Sequence, residues 1–148
     1  MILDLIAQQK KILILGYGRE GKSTHQFLKS QMPNLQIDVA DKKDDPYYLA
    51  KIKDYEIIVK TPGISPHFPE IIKAKKAGKL ITSQTQIFFE LCPGKIIGVT
   101  GTKGKSTTSS LIHHVLINNS VKCILVGNIG KPMLDYLPEI TPDTWVVA

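Results

Sequence analysis

Two apolar stretches of this chain are each followed at once by a glycine-rich turn, and this repeated pattern restricts the fold more than any other feature. The first is KILIL at 11–15, before GYGREG at 16–21, and the second is KIIGVT at 95–100, before GTKGKST at 101–107. Short unbroken apolar runs are typical of strands that are buried on both faces of a parallel sheet. A strand, a tight turn and a helix in succession therefore predict α/β units.

The same alternation continues along the chain. We predict further strands at 36–40, 56–60, 80–82, 122–126 and 144–148, helices at 22–31, 69–77, 84–91 and 105–118, and a short helical piece at 133–137. Proline at the start of the helix at 69–77 and Gly78 just beyond its end are typical of the two ends of a helix. Cys-Pro-Gly at 92–94 separates two rounds of this pattern, so we place a domain boundary there.

The first glycine turn has the spacing of a dinucleotide-binding loop. Gly16, Gly18 and Gly21 satisfy G-x-G-x-x-G between a strand and a helix, and Asp41 follows the second strand, twenty residues after Gly21. In such loops the backbone approaches a diphosphate, the helix N-terminus attracts the anion and the carboxylate binds a ribose hydroxyl. The spacing predicts a nucleotide diphosphate site but leaves the nucleotide open, because Lys42 beside Asp41 suits either a 2′-phosphate or solvent.

The second glycine turn departs from the Walker A pattern by one position. That pattern needs glycine at position 99, where Val99 stands, and Gly98 comes one residue too early. The residue types that bind phosphate and magnesium are nevertheless present: Gly101, Gly104, Lys105, Ser106 and Thr107. The glycines let N–H groups wrap an anion, the lysine reaches terminal phosphates, a hydroxyl binds Mg²⁺, and the following helix adds its dipole. The loop predicts a nucleoside triphosphate site.

Together these features predict an α/β protein with two domains. Residues 1–93 form a Rossmann-like domain with a parallel sheet, and residues 94–148 form the truncated start of a P-loop-type α/β ATPase domain. Because the chain stops within an apolar strand, we expect residues 144–148 to form an exposed sheet edge. We also expect the second domain to loosen before the first.

Composition excludes several other classes. With 43% hydrophobic and 22% charged residues the chain is not disordered, and no apolar run approaches the length of about 20 residues that a membrane span needs. The net charge of +6 comes from scattered lysines and one arginine, without interleaved aromatic residues, so we expect no nucleic acid partner. Cys92 and Cys123 lack metal-binding spacing, and the N-terminus lacks a secretory signal, which favours the cytoplasm.

Four motifs in order resemble those of the Mur ligase family. GVTGTKGKSTT at 98–108 is similar to the ATP loop of these ligases and of folylpolyglutamate synthetases. GYGREG, TPGIS at 61–65 and GNIG at 127–130 are similar to motifs of the branch that adds D-glutamate to UDP-N-acetylmuramoyl-L-alanine. The resemblance implies an ATP- and Mg²⁺-dependent ligase of peptidoglycan synthesis that acts through an acyl phosphate. It also implies that the full-length enzyme is a monomer and that these 148 residues alone are inactive.

The resemblance also assigns roles to particular residues. Binding of the UDP substrate falls to Gly16, Tyr17, Gly18, Arg19, Glu20, Gly21, Asp41, Lys42, Gly63 and Asn128. ATP binding falls to Gly101, Thr102, Lys103, Gly104, Lys105, Ser106 and Thr107. Lys105 would act catalytically at the β- and γ-phosphates, with Ser106 and Thr107 near magnesium. Two positions depart from the family pattern: Lys103 replaces a common asparagine and Thr61 a common serine.

Three alternatives remain open at this point. Another Mur ligase, of the alanine-adding or peptide-recycling type, would usually have histidine and threonine around the lysine of its ATP loop and would lack GNIG. An NAD(P)-binding redox or regulatory domain explains residues 16–41 but gives residues 98–108 no ligand. A nucleotide-gated module without catalysis would use both loops for binding alone.

Overall fold

A parallel sheet of four strands forms the centre of the first of two compact units, Met1–Glu90. The computed structural model describes residues 1–127 and 131–148. The strands are β1 (Lys11–Leu15), β2 (Gln36–Ala40), β3 (Ile57–Lys60) and β4 (Leu80–Thr82). They lie in the order β2-β1-β3-β4, and each neighbouring pair is parallel. The predicted α/β class with parallel strands is therefore confirmed.

Helices precede, connect and follow these strands. They are α1 (Ile2–Ala7), α2 (Arg19–Gln31), α3 (Pro69–Lys76) and α4 (Gln84–Leu91), with a 3₁₀ helix at Tyr48–Asp54. The 3₁₀ helix and α3 pack against the sheet through one cluster of buried side chains, which includes Leu13, Leu15, Tyr48, Ile52, Ile58 and Ile71. In β1, four of the five residues are buried, as the unbroken apolar run predicts.

The structure agrees with the predicted ends of helix α3 and corrects the predicted start of helix α2. Helix α3 begins with Pro69, and Gly78 follows it with a φ of +80°, which agrees with the predicted proline start and glycine stop. Helix α2 begins at Arg19 and not at the predicted residue 22. Gly18 is its N-cap, so Arg19 and Glu20 belong to the first helical turn and not to the loop. The prediction missed α1 and the 3₁₀ helix.

The second unit, Leu91–Ala148, contains a parallel sheet of three strands. The strands are β5 (Lys95–Ile97), β6 (Cys123–Leu125) and β7 (Trp145–Val147), accompanied by helix α5 (Lys105–Asn118) and a 3₁₀ helix at Met133–Glu139. The order is β5-β7-β6, so the prediction that residues 144–148 form an exposed edge was wrong. Strand β7 pairs on both sides, and Val146 and Val147 are fully buried.

Burial differs between the two sheets. The residues of β6 are all half-buried, and β5 has one exposed and two half-buried residues. Fewer fully buried residues mean less apolar surface removed from water, which supports the expectation that the second unit opens first. Among the described residues, no helix is both long and apolar enough to cross a membrane.

Candidate functional site

The GYGREG turn and the TPGIS turn lie next to each other at one end of the first sheet. The first follows β1 and the second follows β3, and these two strands are neighbours. Strand β2 lies on the other side of β1. The chain therefore passes from β1 to β2 on one side and then crosses back to form β3 on the opposite side of β1. In open parallel sheets such a reversal opens a crevice at the carboxyl ends of the two strands, where ligands bind.

Close packing explains two of the three glycines in the first loop. Gly16 has a φ of +92°, and a Cβ added there would collide with Oγ1 of Thr61 and lie 3.3 Å from its Cβ. A Cβ on Gly21 would collide with the carbonyl oxygen of Gly16 and lie 3.1 Å from its carbonyl carbon. Gly18 differs, because a Cβ there would meet nothing within 4 Å. Gly16 and Gly21 are needed for packing, whereas Gly18 faces open space that a ligand can use.

Backbone hydrogen bonds hold the same loop against its neighbours. The N–H of Gly16 donates to the carbonyl oxygen of Ala40 at 2.8 Å. The N–H and the hydroxyl of Thr61 both donate to the carbonyl oxygen of Leu15, at 3.0 and 3.2 Å. The turns after β1 and β3 are therefore joined through Thr61, a residue to which the sequence analysis gave no role in the site.

Asp41 clamps the first loop from the end of β2. Its Oδ2 accepts the backbone N–H of Tyr17 at 2.5 Å, and its Oδ1 accepts the N–H of Lys43 at 2.9 Å. The bond from Lys43 and, to a smaller extent, the bond from Tyr17 hold the pKa of the Asp41 carboxyl below its ordinary value. The carboxylate that the spacing predicted for a ribose hydroxyl thus also fixes the shape of the glycine loop. Lys42, beside it, is exposed.

We expect Asp41→Asn to lower the free energy of unfolding at pH 7 by about 0.5–1 kcal/mol. A neutral amide accepts weaker hydrogen bonds than a carboxylate, and partial exposure limits the loss. Because the pKa of Asp41 is lower in the folded chain, its contribution is present above the unfolded-state pKa. It disappears as the pH falls through the folded-state pKa. Urea unfolding at a series of pH values should show the two proteins converge in acid.

Asp44→Asn is the matched control for this experiment. Asp44 is exposed, and its carboxylate has no hydrogen-bond partner within residues 1–127 and 131–148. The Asp44→Asn substitution removes the same charge three positions from Asp41. The free energy of unfolding of this variant should therefore stay close to that of the wild type at every pH. A stability difference for Asp41→Asn that does not change with pH would contradict the clamp.

A second group of polar residues surrounds the start of α2. Glu20 is half-buried, and this burial raises the pKa of its carboxyl, while the nearby Lys60 acts in the opposite direction. Lys60 donates from Nζ to the carbonyl oxygen of Ile64 at 3.1 Å, which ties the end of β3 to the turn that contains Gly63. Burial lowers the pKa of Lys60. Arg19 and Gly63 are exposed. The sequence analysis missed Lys60, whose only signal is a charge at the end of an apolar strand.

The second glycine loop closes on itself. Gly101 and Gly104 have φ values of +153° and +77°, a region that favours glycine. Gly104 is the N-cap of α5, and Lys105 is its first residue. Nζ of Lys105 donates to the carbonyl oxygen of Gly101, so the ammonium lies over the loop. The first turn of any helix leaves N–H groups without intrahelical acceptors, which are available to an anion.

A cavity of about 190 Å³ lies beside this loop. Lys105, Ser106 and Ser109 line it from α5, and Val126 lines it from the end of β6. Ser109 is 7% exposed and was not predicted as a site residue. Thr107 is exposed and outside the lining, as are Thr102 and Lys103. A cation, a hydroxyl and helix N–H donors fit a phosphate group chemically, and of the two predicted magnesium hydroxyls only that of Ser106 borders the cavity.

Asn128 lies outside the described residues, so its predicted contact with the UDP substrate stays a prediction.

Comparison with known proteins identifies the family. No protein-family model matches the chain. It is 36% identical over 162 aligned positions to the UDP-N-acetylmuramoylalanine–D-glutamate ligase of Acetivibrio thermocellus, covering 95% of this chain and 34% of that protein. It is 44% identical over 100 residues to the ligase of the same name from Clostridium kluyveri, covering 68% and 22%. For Ruminiclostridium cellulolyticum the identity is 37% over 102 residues, covering 69% and 22%.

This chain belongs to the Mur ligase family. The alignment over 95% of the chain extends across both units, so the resemblance does not depend on one loop alone. The chain spans about a third of the length of the first Mur ligase and less of the other two.

Proposed function

We propose that this Mur ligase takes part in adding D-glutamate to UDP-N-acetylmuramoyl-L-alanine with ATP and Mg²⁺. The observation that carries the proposal is the pair of glycine loops, each at the carboxyl end of a parallel strand and each followed by a helix N-terminus. One loop serves the nucleotide of the substrate and the other serves ATP. The names of the aligned ligases supply the identity of the substrates.

The UDP of the substrate is proposed to lie in the crevice between β1 and β3. Gly18 leaves room for a diphosphate to approach the backbone, and the start of α2 directs N–H groups toward it. Asp41 and Thr61 hold the loop in this shape through the bonds described above. Proposed contacts come from the loop residues Gly16 to Gly21, from Asp41 and Lys42, from Gly63 and from Asn128.

The second loop is proposed to bind the phosphates of ATP. When bound, ATP transfers its γ-phosphoryl group to the L-alanine carboxylate, which gives an acyl phosphate and ADP. The amine of D-glutamate then attacks the acyl carbon, and phosphate and a proton leave as the amide forms. Lys105 places a positive charge at the N-terminus of α5 and neutralises phosphate charge. Ser106 borders the cavity and would offer its hydroxyl to magnesium, while Gly101, Thr102, Lys103, Gly104 and Thr107 would complete the loop.

Titration with three nucleotides tests this proposal. UDP should bind and should protect the amides of residues 16–21 and 61–63 from hydrogen exchange, and MgATP should protect those of residues 101–107. NADH should do neither, because the first loop is proposed to hold a uridine nucleotide. Tight NADH binding without a response to UDP would instead identify an NAD(P)-binding redox or regulatory domain.

A further inference from the structure

Gln84 makes a buried connection between two helices of the first unit. It is the first residue of α4, directly beyond β4, and is 3% exposed. Its amide nitrogen Nε2 lies 3.1 Å from each of three oxygens of α2: the carbonyl oxygen of Glu20, Oγ of Ser23 and Oγ1 of Thr24.

The partners of Gln84 are themselves buried and linked. Ser23 is 4% exposed and Thr24 is 1% exposed. The hydroxyl of Thr24 donates to the carbonyl oxygen of Glu20 at 2.8 Å, so Gln84 and Thr24 share that acceptor. Water does not readily replace a donor in such a place, and a buried polar group that loses its partner is costly. The amide of Gln84 therefore restricts the first turn of α2 strongly.

This first turn is the part of α2 that carries the glycine loop. Glu20 lies between the N-cap Gly18 and Gly21, which packs on the carbonyl group of Gly16. Asp41 holds the loop at Tyr17, and Gln84 holds the helical turn that follows it. The two attachments come from different elements, the end of β2 and the start of α4.

We propose that Gln84 is a positioning residue for the UDP site: it fixes the first turn of α2 so that the N–H groups of the loop face the diphosphate. This rests on the proposed function of the loop. A neutral amide suits the place because it donates to a carbonyl oxygen, whereas a carboxylate of the same length would set negative charge against that oxygen.

The test compares Gln84→Met with the control Thr82→Val. Methionine keeps the length and removes the donor. Thr82 is 2% exposed, and its hydroxyl donates to Oε1 of Gln86 and not to α2, so the control removes a partly buried hydrogen bond at the end of β4. Gln84→Met should weaken UDP binding at least tenfold, leave MgATP binding unchanged and speed hydrogen exchange at residues 17–24. Thr82→Val should lower thermal stability without changing UDP affinity.

Gln84→Glu provides a second readout within one protein. Its carboxylate cannot donate to Glu20 at neutral pH, but a protonated carboxyl can, so UDP affinity relative to wild type should recover as the pH falls. A residue that only stabilises the fold would recover thermal stability in acid without any change in UDP affinity. Wild-type UDP affinity in Gln84→Met, an equal loss of UDP affinity in Thr82→Val, or a pH-independent defect in Gln84→Glu would each overturn the proposal.

Separate measurements test the proposed UDP site and the role proposed for Gln84. If wild-type protein does not bind UDP, the proposed function fails. Hydrogen exchange at residues 17–24 in the ligand-free wild type, Gln84→Met and Thr82→Val still shows whether Gln84 holds this turn, and equal exchange in all three would reject that role.

Discussion

Lys105→Ala is expected to weaken MgATP binding by roughly 10- to 150-fold while leaving UDP binding unchanged. A hydrogen bond to a charged group contributes about 1.5–3 kcal/mol, and each 1.4 kcal/mol is about a tenfold change in affinity. Lys105 stands at the N-terminus of α5, borders the cavity beside the loop and contacts the carbonyl oxygen of Gly101. Its removal therefore takes away both a phosphate partner and a bond that closes the loop. Calorimetric titration measures the change.

Lys103→Ala controls for the loss of positive charge. Lys103 belongs to the same loop and is exposed, and its ammonium has no partner in the described part of the chain. An exposed, screened charge contributes about 0.2–1 kcal/mol, so the loss should stay below about fivefold. If the two variants lose equal affinity, net charge and not the position of Lys105 governs binding. If neither variant loses affinity, the loop does not bind ATP phosphates.

Gly21→Ala is expected to lower the free energy of unfolding of the chain by about 1–3 kcal/mol, the usual effect of overpacking. The new Cβ would collide with the carbonyl group of Gly16, which is backbone and cannot rotate away as a side chain does. Either the first turn of α2 or the glycine loop must shift, so UDP binding should fail as well. Denaturant unfolding and UDP titration measure the two effects.

Gly18→Ala separates ligand contact from packing within the same loop. Gly18 has a φ of −71° and an open surrounding, so alanine should change stability by no more than about 0.5 kcal/mol. Under the proposed function its Cβ occupies the path of the diphosphate, and UDP affinity should fall at least tenfold. Unchanged UDP affinity in Gly18→Ala would show that the ligand does not approach the loop at this residue.

Local sequence patterns were sufficient for the α/β class and for most elements. The apolar run within 11–15 predicted β1, because burial on both faces of a sheet favours apolar residues at successive positions of a strand. Proline and glycine predicted the ends of α3, because each restricts or permits particular φ values in its own residue. The spacing of Gly16, Gly18 and Gly21 likewise marked a strand–turn–helix unit. These signals are local, since the residues concerned lie within a few positions of one another.

Contacts between residues far apart in the chain could not be predicted from local patterns. Strand β7 lies between β5 and β6, although it follows both in the chain. The order of strands in a parallel sheet depends on the paths of the crossover connections, which local patterns do not reveal. Thr61 packs against Gly16, and Gln84 donates a hydrogen bond to the carbonyl oxygen of Glu20, 64 positions earlier in the chain. No periodic pattern in the sequence predicts either contact. Local residue patterns predicted the strands, the turns and the two glycine loops. Packing between segments far apart in the chain determined what holds the first loop in place.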